Sequence, residues 1–257
     1  MGGIFNTDKR IRLGIWGLGR GSNFIQAAKE LNIDVVAGCD FHEETWKNFL
    51  ACCPDAFVTC DENEFLARDF DAVLIATGPN WHATAATMAA KAGKDVYCEK
   101  PCTKNIAQSL ALAEVFRRTG RVFQAGTQRR SLPNFAHAIE LARTGKLGPL
   151  HTLHAHPGGL GCEMSGWFPA EQEPPQEQVN WDMYLGPAAW RPYNGALMNA
   201  FQFEKGGGMV GGGCLEWGSH CVDLCQWANN ADDTAPVEYE PVNGQLHARY
   251  ANGVKLV

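Results

Sequence analysis

No stretch of this sequence is apolar for the ~20 residues that a membrane-spanning helix needs, so its 45% hydrophobic content is expected to go into a buried core and no membrane is expected as a partner. A surplus of positive charge is also missing. Against 28 Asp and Glu stand 22 Lys and Arg, a net charge of −6, which argues against nucleic acid as a partner. The first residues, MGGIFNTDKR, lack a cationic segment followed by a hydrophobic one, so no secretory leader is expected. There is no internal repeat. Cysteine is plentiful at ten residues, yet no CxxC pair or regular framework organises it. A chain of this length does not need cross-links to fold. These cysteines are therefore read as reduced thiols of a cytoplasmic protein. Cys221 and Cys225 are four apart on an expected helix, but buried apolar cysteine is the commoner case, and no metal is assigned.

The stretch from Lys9 to Asp40 organises the rest. Ile11, Leu13 and Ile15 carry a short apolar strand, Gly17-Leu18-Gly19-Arg20 is a tight turn, and Phe24, Ala27, Ala28 and Leu31 mark one face of a helix. A second apolar run, Ile33 to Cys39, ends at Asp40. Glycines at 17 and 19 let backbone N–H groups approach a pyrophosphate at a helix N-terminus, where the aligned peptide dipoles favour negative charge. Asp40 falls 21 residues after Gly19, close to the spacing of about 20 at which an acid bonds a ribose 2′-hydroxyl. Ser22 holds the third glycine position of the pattern. It is small enough for close helix–strand packing, and Gly21 is beside it. The candidate cofactor contacts are thus Gly17, Leu18, Gly19, Arg20 and Asp40. The acid favours NAD over NADP, because a carboxylate repels a 2′-phosphate and neither Phe41 nor His42 is an arginine that could bind one.

The alternation continues. Asp71–Thr77, Asp95–Cys98 and Val122–Ala125 read as strands, with helices over Ala83–Ala92 and Ile106–Arg118. This rhythm predicts a doubly wound parallel sheet. Ligands bind such sheets at the carboxyl ends of the strands, which singles out Thr77, Asn80, His82, Glu99, Lys100, Thr127 and Gln128. A helix over Asn134–Thr144 closes the first domain. Beyond Pro149 the texture changes to a strand-like Leu150–His156, an irregular excursion over Gly158–Pro192, and a helix over Leu215–Asn229. Strands follow over Val237–Pro241 and Gln245–Tyr250, then an Asn252-Gly253 hairpin turn. The last strand, Val254–Val257, has nothing after it to finish its sheet, so a fragment of a longer protein is expected.

Two constellations carry chemistry. Lys100, in Glu99-Lys100-Pro101, stands at a strand end, where an ammonium can bond a reacting hydroxyl and lower its pKa. A cis Pro101 would aim it into the cleft. By itself the tripeptide is as readily a surface Glu-Lys pair before a proline turn. In Glu216-Trp-Gly-Ser-His220-Cys-Val-Asp223, residues three and four apart share a helix face. His220 then lies between two carboxylates, held for general acid–base work or as a structural histidine bonded to an acid.

Taken in order, the Gly17–Gly19 turn, ATGPNWHA at 76–83, AGKDVYCEKP at 92–101, AGTQRR at 125–130, WDMYLGP at 181–187 and GGGCLEWGSHCVDLCQW at 211–227 strongly resemble the glucose–fructose oxidoreductase / inositol dehydrogenase / rhizopine catabolism (Gfo/Idh/MocA) family of NAD(P)-dependent enzymes. The resemblance implies an α/β protein with a Rossmann domain at 1–130. At 131–257 it implies an α+β substrate and oligomerisation domain with an open, mostly antiparallel sheet, incomplete at its C-terminus. It implies NAD as cofactor, a small-molecule sugar or glycoside as substrate, and a homo-oligomer, dimer or tetramer, built on the sheet face. Lys100 matches the lysine that contacts substrate hydroxyl and nicotinamide, His220 the acid–base, and Asp223 a substrate contact. Thr77, Asn80, His82, Glu99 and Gln128 match loop positions around the cofactor. Glu216 departs from the usual Asp, so it orients His220 or reaches the substrate. Trp167, Trp181, Trp190 and Tyr193 in the irregular stretch suit the C–H faces of a glycoside, though tryptophan is more often core than pocket, and His154 and His156 either line the same cleft or merely stand in the sheet. The implied chemistry is hydride transfer from a secondary alcohol of a sugar, glycoside or cyclitol. An NAD-dependent glycosidase working by transient oxidation and elimination, and a non-catalytic NAD-binding sugar sensor, are the alternatives.

Overall fold

The structure, a computed structural model, describes residues 10–156, 168–198, 215 and 217–257. These residues fall into two compact units, one of residues 10–126 with 168–198 and one of residues 127–156 with 215 and 217–257.

The first unit is built on six parallel strands, β1 (Ile11–Trp16), β2 (Ile33–Cys39), β3 (Phe57–Thr59), β4 (Ala72–Ile75), β5 (Asp95–Glu99) and β6 (Phe123–Gly126), in the order β3-β2-β1-β4-β5-β6. Side chains alternate across a strand, and the two resulting sets go to different cores. Leu13 and Ile15 of β1 and Leu74 of β4 pack with Leu18, Ile25 and Phe49. Trp16, Val73 and Ile75 pack with Phe65, Phe70 and a row of fully buried alanines at 85, 86, 89 and 90. Two cores on two faces make the sheet doubly wound, as the sequence rhythm predicted. The helical run after β1 comprises α1 (Leu18–Gly21), a 3-10 turn and α2 (Ile25–Glu30). Then come α3 (Glu43–Cys52), α4 (Glu62–Leu66), α5 (Pro79–Lys91) and α6 (Ile106–Thr119). Asp61 caps α4 by accepting from the Asn63 and Glu64 N–H groups at 2.8 and 2.9 Å, and Gly120 ends α6 at φ +65.

The irregular excursion expected in a second domain lies instead with the first unit over its described part. It contains α8 (Trp181–Leu185), whose Trp181, Leu185 and Leu197 form a small buried core with Phe168 and Tyr193. Trp181 is stacked on Tyr184 at 5.2 Å and its indole N–H donates to the Arg191 carbonyl at 2.8 Å. It is a core residue, not a glycoside platform.

The second unit holds α7 (Pro133–Arg143), β7 (Thr152–Leu153), α9 (Gly218–Ala228), β8 (Glu238–Val242), β9 (Gln245–Arg249) and β10 (Lys255–Leu256), the strands in the order β7-β10-β9-β8. Pairing is antiparallel except between β7 and β10. The Asn252-Gly253 turn is present, with Gly253 at φ +88. A second Asn-Gly pair at 243–244, both residues at positive φ, closes the β8–β9 hairpin by the same chemistry. Arg130 clamps this unit. Its guanidinium bonds Asp223 twice at 2.8 Å, reaches Asp232 at 2.8 and 3.1 Å, and lies over the Trp227 ring.

Phe65 is fully buried between Trp16 and Phe70, so Phe65→Ala is expected to cost about 3–5 kcal/mol in a urea unfolding titration. Arg130 holds the Asp232 carboxyl below its ordinary value of 3.8. The folded form therefore binds this proton more weakly than the unfolded chain. The stability gained is present above the ordinary value and is lost as pH falls through the lower folded one. Acid titrations followed by circular dichroism should show this limb in the parent protein and its loss in Asp232→Asn.

Candidate functional site

The strand order reverses beside β1, and the loops leaving β1, β2 and β4 there open a cleft of about 390 Å³. Gly17, Gly19 and Arg20 line it after β1, Asp40 and His42 after β2, and Thr77 and Asn80 after β4. Gly17 has φ +92, and a Cβ there would stand 2.5 Å from the Thr77 nitrogen. Only glycine lets the turn pass this close to the β4 loop. Around Gly19 nothing lies within 4 Å of where a Cβ would be, so the turn leaves open space beside the first-turn N–H groups, which have no intrahelical acceptor. The close helix–strand packing falls to Gly21, where a Cβ would meet Ile15 Cγ2 at 2.5 Å. Ser22, at the expected third glycine position, instead donates its hydroxyl to the Leu18 carbonyl at 2.6 Å.

Asp40 is held by backbone on both oxygens. The Leu18 N–H donates to one at 2.7 Å and the His42 N–H to the other at 3.1 Å. Each carboxylate oxygen keeps a further lone pair, so the acid is oriented and can still accept from a ribose diol. Next to it, burial pushes the Cys39 thiol far above its ordinary value, which keeps it an unreactive neutral lining.

Other candidates have different surroundings. The Asn80 amide donates to the Tyr184 and Leu185 carbonyls at 2.9 and 2.8 Å. It lines the cleft, but both of its donors serve the chain. His82 is fully buried, with Nδ1 2.7 Å from the Pro101 carbonyl and Nε2 3.0 Å from that of Thr77. It ties the loop after β4 to the loop after β5 and is not in the cleft lining. Glu99 is buried at the end of β5, with one oxygen 3.2 Å from Arg20 and the other without a hydrogen-bond partner among the described residues. Its neighbour Tyr97 is pushed up to about 12 by burial and by the Glu99 charge. Lys100 follows, half-buried, and its bond to Pro101 is cis.

In the second unit His220 is buried in α9 with its ring 6.1 Å from that of Trp217. The expected trio on one helix face is not what Asp223 joins, because Arg130 takes its carboxylate. His156 is exposed, and its carbonyl accepts the Cys221 thiol at 3.7 Å. Gln128 is exposed at the start of a 3-10 turn. Glu216 and Trp167 lie outside the described residues.

Beyond Trp16, Cys39, Thr45, Glu62, Ala76, Gly78 and Trp81, four further lining residues escaped the sequence reading as contacts: Phe41, His42, Met183 and Tyr184. The first two adjoin Asp40 and were weighed only for the missing arginine. The other two lie within WDMYLGP, which marks the resemblance without disclosing where it packs.

The turn with space at Gly19 and the oriented acid at Asp40, both in the cleft lining, fit a bound dinucleotide. Residues 11–127 match the model of an oxidoreductase family with an NAD-binding Rossmann fold, and residues 161–254 match that of its C-terminal alpha/beta domain. Over 160 residues, 58% of this chain and 45% of the relative, the chain is 32% identical to an inositol 2-dehydrogenase of Acidothermus cellulolyticus. The chain spans about half the length of the curated relatives it matches. A solved apo scyllo-inositol dehydrogenase of Lactobacillus casei is 25% identical with a TM-score of 0.55 over 58% of this chain and 46% of that one. GenD2 from gentamicin A biosynthesis, solved with NAD, shares the fold with a TM-score of 0.69 at 19% identity, over 98% of this chain and 66% of that one.

Because nothing surrounds the Cβ position of Gly19, Gly19→Val should leave the thermal midpoint in place while dinucleotide affinity, read by titration calorimetry, falls roughly tenfold or more.

Proposed function

The chain belongs to the glucose–fructose oxidoreductase / inositol dehydrogenase / rhizopine catabolism family of NAD-binding Rossmann-fold oxidoreductases, and on that premise we propose that it oxidises a secondary alcohol of a sugar, glycoside or cyclitol. The observation that carries the reading is Asp40. Its carboxylate is fixed by the Leu18 and His42 N–H groups at the edge of the cleft, 21 residues after Gly19, where it suits a ribose diol and repels a 2′-phosphate. The relative named for inositol oxidation and the solved scyllo-inositol dehydrogenase support a cyclitol as the first substrate to test.

NAD, when bound, supplies the hydride acceptor. The Gly17–Arg20 turn would hold its pyrophosphate and Asp40 its adenosine ribose. The Lys100 ammonium is assigned to the reacting hydroxyl, whose developing negative charge it stabilises. His220 is assigned the removal of the hydroxyl proton, with Glu216 orienting it. His82 and Asn80 are assigned to hold loops, since their polar atoms bond carbonyls. Asp223 and Gln128 remain proposed ligand contacts on the family resemblance, and Trp167 and His156 as lining of a glycoside pocket. The protein is proposed to act on small molecules in the cytoplasm as a homo-oligomer.

Incubation with NAD, inositols, sugars and nitrophenyl glycosides tests the reading. NADH accumulation with a polyol is the expected result. Nitrophenol released in an NAD-dependent way without net NADH would identify a redox glycosidase instead, and NAD binding without turnover a sensor. Lys100→Met should lower kcat by on the order of 10²–10⁴-fold while NAD affinity changes little.

A further inference from the structure

The cleft has a wall that comes from far along the chain. Like any helix, α8 leaves its last carbonyls without intrahelical donors. The Asp182 carbonyl accepts from the Gly186 N–H at 2.8 Å. The next three are met by side chains at the start of α5, that of Leu185 also accepting the Ala188 N–H at 3.0 Å. Trp81 donates its indole N–H to the Met183 carbonyl at 2.8 Å, and Asn80 donates to those of Tyr184 and Leu185. Gly186 then lies flat on the Trp81 ring, where a Cβ would stand 2.2 Å from Cε2. The wall is also braced from behind, because the Tyr184 ring stacks on the buried Trp181 and its hydroxyl donates to the Leu197 carbonyl at 2.8 Å. Burial holds that hydroxyl in its neutral form.

We propose that Met183 and Tyr184, latched in place by Asn80 and Trp81, form the wall against which the adenine base of the dinucleotide packs, with Phe41, in the acid's own loop, as its edge. The proposal rests on the NAD reading above. The base is attached to the ribose that Asp40 would hold, so it must lie on the Asp40 side of the pyrophosphate turn. Phe41 and His42 follow Asp40 in its loop, and Met183 and Tyr184 line the cleft with them, as do Thr45 and Glu62, Tyr184 meeting Phe41 directly. The Phe41 ring meets that of Tyr184 edge-on at 6.0 Å, leaving an aromatic and thioether surface of the kind a flat heteroaromatic ring packs on. Asn80 and Trp81 act through this wall and are positioning residues. Met183 and Tyr184 are the specificity contacts.

Titration calorimetry of the full chain with three probes tests this: NAD, adenosine monophosphate and nicotinamide mononucleotide. Tyr184→Ala and Met183→Ala should each weaken NAD and adenosine monophosphate on the order of tenfold and leave nicotinamide mononucleotide unchanged, while Tyr184→Phe keeps the ring and the affinity. Should Tyr184→Ala fail to fold by circular dichroism, Met183→Ala decides, since its side chain belongs to none of the latch bonds. Folded variants that bind NAD and adenosine monophosphate as the parent does overturn the wall and leave the NAD reading standing. So does an equal loss of all three probes. A parent protein that binds neither NAD nor adenosine monophosphate overturns both.

Discussion

Backbone meets backbone at Gly17, and the first unit is arranged around that approach. The turn leaving β1 passes so close to the loop leaving β4 that no side chain fits between them. Its N–H donates to the Cys39 carbonyl at 2.8 Å, which fastens the same turn to the end of β2. Three strand ends are thereby gathered at one point. The space at Gly19, the carboxylate of Asp40 and the Thr77 loop become neighbours because one residue lacks a Cβ. The N–H of Leu18, next in the turn, then fixes the acid itself. Phosphate space and ribose acceptor are set by a single local geometry.

The second organising feature is a short helix end that cannot satisfy itself. Orphan carbonyls at the end of α8 are costly to bury without donors, and α5 supplies three N–H bonds from two adjacent residues. These bonds join α8 to the parallel-sheet unit, together with the Phe41–Tyr184 ring contact and the packing of Gly186 on Trp81. It also alters what Asn80 is for. A polar residue at a strand end beside a cleft reads as a ligand contact, yet here its donors are engaged by the protein.

In the second unit the same logic applies to charge. Asp223 sits on α9 three residues after His220, a spacing that suggests an acid poised beside an imidazole. Arg130 offers a planar fork with two parallel bonds, a stronger match for a carboxylate than a single ring nitrogen. The carboxylate goes to the arginine, and the unit gains a clamp joining its 3-10 turn, α9 and the Asp232 loop.

Much of this was legible in the sequence because it is local. The strand–turn–helix of 11–30, the acid at 40, the strand ends at 77 and 99 and the Asn252-Gly253 turn depend on neighbours a few residues away, and periodicity or a glycine marks them. Between Asp40 and Asp71, β3 spans only Phe57–Thr59 and α4 only Glu62–Leu66, too short for a period to register, whereas α3 (Glu43–Cys52) is long enough to show one and went unmarked. The sequence by itself determined a parallel βαβ sheet with a glycine turn and an oriented acid. Only the tertiary structure decided that Asn80 bonds Tyr184 and Leu185, 104 and 105 residues away, that Arg130 takes Asp223, and that Tyr184 lines the cleft. Contacts at such separations are chosen by whichever buried donor and acceptor end up facing each other. No local spacing of residue types records that choice.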